Sequence, residues 1–501
     1  MHHAPADPED RLSLAESMIP IIGSLHRSRH VVVTIHGRRL VDLSARQILK
    51  AHRFARHIDG RELDPAQTFP LLQLLSAMDP PPCAVDLASL LSLAGEEGDG
   101  SRQVLDGLLR EEVARIGPAE VPPQRDVVLY GFGRIGRLLA RILLARSAGA
   151  GGLRLRAVVV RPGAPGDLQK RASLLRRDSV HGPFDGTIVV DEERRMLIAN
   201  EVEIQVIESD APVRVDYRAH GIDEAIVVDT TGRWRDRDGL AQHLRSPGAE
   251  RVLLTAPGTG DVPNIVHGVN EEQIGDHRIL AAASCTTNAV APVLKALHEH
   301  CGVEKGHVET VHSFTNDQNL TDNFHRADRR GRAATLNMVI AETGAARAVG
   351  AAYPALEGRL TGSAIRVPVP NVSLAVLNLR LGEGAAGIGR EDLNAFLRET
   401  SLASPLRRQV DFIESPEFAS SDALGSRKAG IVDGLATIAD GTGDAVLYVW
   451  YDNEHGYCRQ VVRVLESMSG VRLPSIPRGA VDRARARVRE AGRSSLQVAG
   501  I

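Results

Sequence analysis

Residues 283–292 read ASCTTNAVAP, and Cys285 stands between an apolar run, RILAAAS, and TTNAVAPVLKALHEH, where Val290, Val293, Leu294 and Leu297 recur at helical spacing. A thiol placed there sits at a helix N-terminus, where unpaired backbone N–H groups and the helix dipole stabilise a thiolate. Cys285 is therefore a candidate nucleophile for covalent catalysis, whereas a cysteine kept for packing belongs inside an apolar face. His312, in ETVHSFTNDQ after a short strand pattern, is the candidate base, because an imidazole beside the sulfur lowers the thiol pKa and can carry its proton. Residue types alone leave open what the sulfur attacks.

A second constellation is Gly131, Gly133 and Gly136, a GxGxxG in DVVLYGFGRIGRLLARILLAR. It follows an apolar strand and opens a helix, the context in which glycines let the backbone approach a pyrophosphate at a helix N-terminus. The next strand, LRLRAVVVR, ends on Arg161 where an NAD-specific site usually has a ribose-binding acid. An arginine cannot accept that hydrogen bond but pairs with a 2′-phosphate, so NADP, alongside or in place of NAD, is the expected cofactor.

These residues need a large scaffold. The chain has 501 residues, enough for two or three domains, and 43% hydrophobic and 25% charged residues, close to a soluble globular average. A net charge of −3 argues against nucleic acid or a membrane surface as the main partner. No apolar run reaches the about eighteen residues of a span. The start, MHHAPADPEDR, lacks a leader pattern, so a cytoplasmic protein is expected. Four cysteines without CxxC spacing are read as reduced thiols. The HEHC at 298–301 is not read as a metal site, since His298 and His300 point apart on a helix; no metal is expected.

Along the chain, residues 1–78 read as helical, with Ile48, Leu49, Phe54 and Ala55 on one face; DPPP at 79–82 breaks the pattern, and GPAEVPPQR (117–125) reads as a linker. Beyond it strands and helices alternate, which favours a parallel, doubly wound sheet. From about residue 305, runs such as SAIRVPVPNVSLAVLNLRL suggest a second sheet of antiparallel character.

Taken together, GFGRIGR (131–137), DSVHG (178–182), TTGRW (230–234), ASCTTNAVAP (283–292), VHSFTNDQ (311–318), ETGAARAVG (342–350), RVPVPNVS (366–373) and WYDNEHGY (450–457) resemble the glyceraldehyde-3-phosphate dehydrogenase family, in the family's order and over 125–470, some two-thirds of the chain. The resemblance implies an α/β protein. A Rossmann-type dinucleotide-binding domain would span 125–284, completed by 453–475, and an α+β catalytic domain with a mainly antiparallel sheet would span 285–452. A helical N-terminal extension (1–124) and a tail (476–501) would flank them. It further implies oxidative phosphorylation of glyceraldehyde 3-phosphate through a thiohemiacetal and a thioester on Cys285, with His312 as the base. Thr315 and Arg366 would line the substrate-phosphate site, and Ser284, Thr286, Thr343 and Gly344 the inorganic-phosphate site. Arg134 and Ile135 would meet the pyrophosphate through their backbone, Thr231, Gly232 and Thr255 would follow the cofactor path, Asn453 would hold the carboxamide and Tyr457 would pack beside the nicotinamide. A homotetramer is implied by family analogy. HRADRRGR (325–332) then reads as interface and surface charge, not as a nucleic-acid site.

The departures cluster at the adenosine end. Tyr130 stands where Asn is common, Asn323-Phe324 replaces a Leu-Pro pair near a neighbouring subunit's cofactor, and the ribose acid is absent. His455 replaces a Trp and Ala289 replaces a second cysteine. Two alternatives stay open: the same chemistry on erythrose 4-phosphate, which retention of Thr343-Gly344 and Arg366 disfavours, and a regulatory or scaffolding protein with the extension as its interaction module.

Overall fold

The computed structural model describes residues 7–97, 101–117, 124–145, 152–470, 473–479 and 484. Most of the linker and nearly all of the tail read from the sequence lie outside the described residues.

A central eight-stranded sheet runs in the order Ile279–Ala281, Ala249–Leu254, Ala225–Asp229, Arg125–Tyr130, Leu153–Val160, Val202–Glu208, Met196–Ala199, Ile188–Asp191. The first six strands are parallel and the last two form an antiparallel edge. The innermost strands are buried on both faces, which explains why VVLY and AVVV read as continuous apolar runs and not as alternation. The helix Arg134–Leu144 lays Leu138, Leu139, Ile142 and Leu143 on this sheet, and the last long helix, His455–Met468, packs beside it with Val461, Val462 and Leu465 fully buried. Each such side chain contributes about 1.5–3 kcal/mol on leaving water.

The second large sheet pairs Val339–Ala341, Leu360–Val367, Val303–Ser313, Ser373–Leu381, Asp444–Tyr451, Gly430–Asp433 and Val410–Ile413 in that order, mostly antiparallel. Two pairings are parallel, and one of them sets the site: Val303–Ser313 runs beside Leu360–Val367 with His312 opposite Arg366. The helix Cys285–Cys301 lies between the two sheets, with Ala289, Val290, Val293, Leu294 and Leu297 in the second core.

The extension is mainly helical, as expected, with Pro8–Arg29, Ala45–Phe54, Pro65–Ala77, Leu87–Glu97 and Arg102–Ile116 as its longer helices. It also holds a sheet that periodicity did not reveal: Arg38–Arg39, Val32–Ile35, Ala84–Asp86 and, from the far end of the chain, Ser475–Ile476. Ser475 and Ile476, which straddle the expected start of the tail, are therefore a parallel strand against Ala84–Asp86, and Ile476 is fully buried with Met18, Leu25, Val33 and Leu72. Local signals do mark the helices: Ser44 and Gln47 form a reciprocal capping box, and Asp64 caps the helix that starts at Pro65.

Candidate active site

The nucleophile candidate owes its position to a tight strand-to-helix turn. Ala283, just past the strand Ile279–Ala281, has φ 53°, and its carbonyl accepts from the Tyr457 hydroxyl at 3.0 Å. Ser284 is the N-cap, its Oγ accepting from Thr287 N at 3.0 Å, and Asn288 Nδ2 donates to Ala282 O at 2.8 Å and Ser284 O at 2.9 Å. With the turn fixed three ways, Cys285 becomes the first helical residue, partly buried where the two cores meet.

Its sulfur lies 3.6 Å from His312 Nε2. The other ring nitrogen, Nδ1, is 2.8 Å from Ser313 O and 2.9 Å from Arg366 Nη1, which also donates to Ser313 O at 2.9 Å. A proton on Nδ1 can be donated to the Ser313 carbonyl, which favours the charged ring over the neutral one, and the guanidinium opposes that charge. Burial, then Arg366, holds His312 down to about 3. Burial pushes the Cys285 thiol up, while the Arg366 charge pulls it down. In this state the pair rests as thiol and neutral imidazole, with the imidazole free to accept the proton. Burial disfavours the charged form of each group.

Arg366 is itself built to meet an anion. Its Nε is buried without a hydrogen-bond partner, an orphan that an oxyanion would satisfy. Thr315, expected beside it, donates instead to Asp317, which also pairs with Arg330. Asp317 and Arg330 were not singled out from the sequence, and both bear on Arg366 electrostatically. Thr343 and Gly344 sit at the start of the helix Ala345–Ala352, Thr343 Oγ1 accepting from Ala345 N at 3.1 Å. Thr286 is buried with its hydroxyl 3.0 Å from Tyr451 OH, and Tyr451 stands edge-on to the His312 ring at 6.0 Å. Tyr451 is a further site residue that the sequence reading passed over; its only signal was adjacency to the DNEHGY stretch.

The dinucleotide cradle passes a direct test of fit. A Cβ at Gly136 would lie 2.5 Å from Gly131 O, and one at Gly131 2.6 Å from Thr230 Oγ1, so both positions need glycine. Around Gly133, the N-cap of the helix, there is open space, the room a pyrophosphate requires. Ile135 follows at the start of the same helix. Thr231 donates to Asp229 Oδ1 through both N and Oγ1 at 2.7 Å, Gly232 turns with φ 60°, and Thr255 Oγ1 donates to Asp229 O at 3.0 Å, so the three line the strand ends. Asn453 Oδ1 accepts from Ser313 Oγ at 3.0 Å and Ser373 Oγ at 3.1 Å, which leaves its amide N–H groups to donate outward. Arg161 is exposed at the end of its strand. Tyr130 is a core residue, edge-on to His243 at 4.7 Å and to Trp234 at 5.8 Å.

A clamp not anticipated from the sequence joins these parts. The Arg134 side chain pairs with Asp178 at 3.1 Å and with Glu454, and Glu454 meets His181 at 3.0 Å. Asp452, fully buried, accepts from Asn371, Gly425, Glu454 and His455. Thus the glycine turn, the 178–182 loop and the Asn453 loop are tied to one another through Arg134, Glu454 and His181. His298 Nδ1 accepts from Val303 N at 3.0 Å and His300 stacks on Phe396 at 3.8 Å, which gives both histidines of the HEHC stretch packing contacts.

Comparison with known proteins gives two family matches: glyceraldehyde 3-phosphate dehydrogenase, NAD binding domain, over residues 125–237, and glyceraldehyde 3-phosphate dehydrogenase, C-terminal domain, over 284–453. A glyceraldehyde-3-phosphate dehydrogenase-like protein of Pseudomonas aeruginosa is 55% identical over 467 residues, covering 92% of this chain and 100% of the relative. The glyceraldehyde-3-phosphate dehydrogenase of Borreliella burgdorferi is 36% identical, covering 68% of this chain and 99% of its own. Glyceraldehyde-3-phosphate dehydrogenase B, chloroplastic, of Pisum sativum is 38% identical over 67% of this chain and 72% of its own.

Proposed function

The chain belongs to the glyceraldehyde-3-phosphate dehydrogenase family and is an NAD(P)-dependent dehydrogenase, and on that premise we propose that it oxidises glyceraldehyde 3-phosphate and captures the product on inorganic phosphate as 1,3-bisphosphoglycerate, reversibly. The observation that carries this reading is the sulfur of Cys285 at a helix N-terminus, 3.6 Å from His312 Nε2, with Arg366 alongside.

In this reading His312 takes the thiol proton as the sulfur adds to the aldehyde carbon, and the imidazolium then protonates the new oxyanion to give a thiohemiacetal. Neutral again, His312 removes the hydroxyl proton as the carbon–hydrogen bond breaks, leaving a thioester on Cys285. The nicotinamide dinucleotide, when bound, supplies the acceptor for the departing hydride. A phosphate oxygen then attacks the thioester carbon, the carbon–sulfur bond breaks with its electron pair on sulfur, the sulfur takes the proton back from the His312 imidazolium, and the acyl phosphate leaves. Arg366 and Thr315 would hold the substrate phosphate, with Ser284, Thr286, Thr343 and Gly344 around the incoming one. Both anions need fixed donors, and the unpaired Arg366 Nε supports that assignment.

The test is absorbance at 340 nm with glyceraldehyde 3-phosphate and NAD or NADP, with and without inorganic phosphate. Phosphate-dependent reduction is expected. Reduction only with erythrose 4-phosphate, or with neither aldehyde, would remove the proposal. In the same assay Arg161→Asp should lower the NADP-to-NAD preference by about tenfold or more, since it replaces a charge-assisted donor to a 2′-phosphate by a like charge. An unchanged ratio would mean that Arg161 does not read that group.

An oligomer, a tetramer by family analogy, is part of the same reading. Phe324, Leu336, Met338 and Ile340 are between 62% and 91% exposed along 324–340, an apolar surface that another copy would cover. Light scattering of the full chain at the mass of one 53.9 kDa protomer would contradict it.

A further inference from the structure

The extension meets the rest of the protein through the turn at His36, Gly37 and Arg38, and this contact gathers positive charge from separate parts of the chain. Gly37 has φ 75°, and a Cβ there would lie 3.2 Å from Arg407 Nη2, so that guanidinium packs directly on the glycine. Arg38 places its guanidinium 3.4 Å from the centre of the Phe54 ring. Lys428 donates to Arg407 O and Val410 O, and Arg463, on the last long helix, donates to Arg427 O at 3.3 Å. The charges feel one another: Arg427 bears on Arg38, and Arg38, Arg463 and Arg407 all bear on Lys428. Burial and this company bring the Lys428 ammonium down to about 8.

Two acids stand nearby: Asp411, whose charge bears on Arg38 and Lys428, and Asp86, whose charge bears on Arg407 and whose oxygens are both engaged by the extension's own groups. Asp86 Oδ2 accepts from Gly37 N at 2.7 Å and Thr34 Oγ1 at 2.9 Å, its Oδ1 accepts from Ser89 N at 3.0 Å, and Asp411 Oδ1 accepts from Phe412 N at 3.2 Å. Among the described residues no carboxylate comes within ion-pairing distance of Arg38, Arg407, Arg427 or Lys428. Other arginines of this protein do find such partners, as Arg134, Arg154 and Arg156 show. Arg38, Arg407, Arg427 and Lys428 outnumber the two acids that bear on them, and such an excess of like charge opposes folding unless an anion offsets it.

We propose that the junction between the extension's turn and the body of the protein binds a small polyvalent phosphate anion, held by Arg38, Arg407, Arg427 and Lys428. Guanidinium groups arriving from different elements suit the several faces of a phosphate, and a lysine ammonium adds a point charge. Arg38 belongs to the extension and the other three to the body, so the bound anion would fasten one to the other.

The experiment is calorimetric titration of the full-length protein with inorganic tripolyphosphate at constant ionic strength, together with thermal melting. Binding of one anion per chain with a rise in melting temperature is expected. The variant carrying Arg38→Gln and Arg427→Gln should bind about tenfold or more weakly, because charge-assisted contacts are lost, and should lose the melting shift. Both side chains are exposed and lie outside the candidate active site, so the variant's KM for inorganic phosphate should be unchanged. Competition by ATP against competition by a sugar bisphosphate separates a nucleotide source from a phosphorylated sugar. Equal affinity in the variant, or no melting shift in the parent at saturating tripolyphosphate, would overturn the site. If the double variant does not fold, Arg427→Gln alone gives the same comparison.

Discussion

Cys285→Ser is expected to abolish the phosphate-dependent reduction, with kcat falling by about 10³-fold or more, while dinucleotide affinity stays near that of the parent protein. Serine fits the first helical position and keeps the turn intact, since the cap hydroxyl belongs to Ser284 and the Tyr457 bond goes to the Ala283 carbonyl. What changes is the atom. A hydroxyl ionises far above a thiol, and an ester would hold the acyl group less activated than a thioester does, so both attack and phosphorolysis suffer. Cofactor binding should persist because the cradle is built from Gly131, Gly133 and Gly136 and braced by the Arg134–Asp178 ion pair, none of which touches the sulfur. The measurements are steady-state turnover and fluorescence titration with NADH and NADPH. Turnover like that of the parent protein would remove covalent catalysis at this residue. Loss of cofactor binding as well would show instead that Cys285 is part of the packing between the two cores.

How much of this was legible in the sequence depended on range. Cys285 was readable because its chemistry is local: an apolar strand, a capping serine and a helical repeat lie within a few residues of it. The glycine turn was readable for the same reason. Arg366 was not, except through resemblance, because it owes its place to a parallel pairing between strands whose partners, His312 and Arg366, are 54 residues apart. The brace from Arg134 to Glu454 spans 320 residues, and the glycine turn that marks Arg134 for its backbone says nothing of where its side chain goes. In the extension the helices announced themselves through caps and spacing, but Val32–Ile35 has only four residues and Ser475–Ile476 only two, too few for any period to show. That last strand also changes what the extension is: its core includes Ile476, so it is closed by the opposite end of the chain and not by its own sequence alone.

His312→Asn tests the other half of the pair, and its effect should depend on pH. At a single pH near neutrality kcat should fall by about 10²–10⁴-fold, the usual worth of a positioned base. In the parent protein the ring is held down to about 3 and is therefore neutral and able to accept a proton across the neutral range. Without it the Cys285 thiol, pushed up by burial, must ionise unaided. The variant's rate should then climb with pH through the range where the parent is level, so that the deficit shrinks as conditions become alkaline. A constant deficit at every pH would mean that His312 positions substrate without moving protons. Stability gives a second readout of opposite origin. The folded protein keeps the ring neutral, so between pH 6.5 and about 3 the unfolded chain binds a proton there that the folded one does not, and stability falls as pH falls. Asparagine removes that ring, so the acid limb of a denaturation series should become shallower even as activity is lost. A merely structural histidine would lower stability at all pH values and leave the shape of the activity profile unchanged.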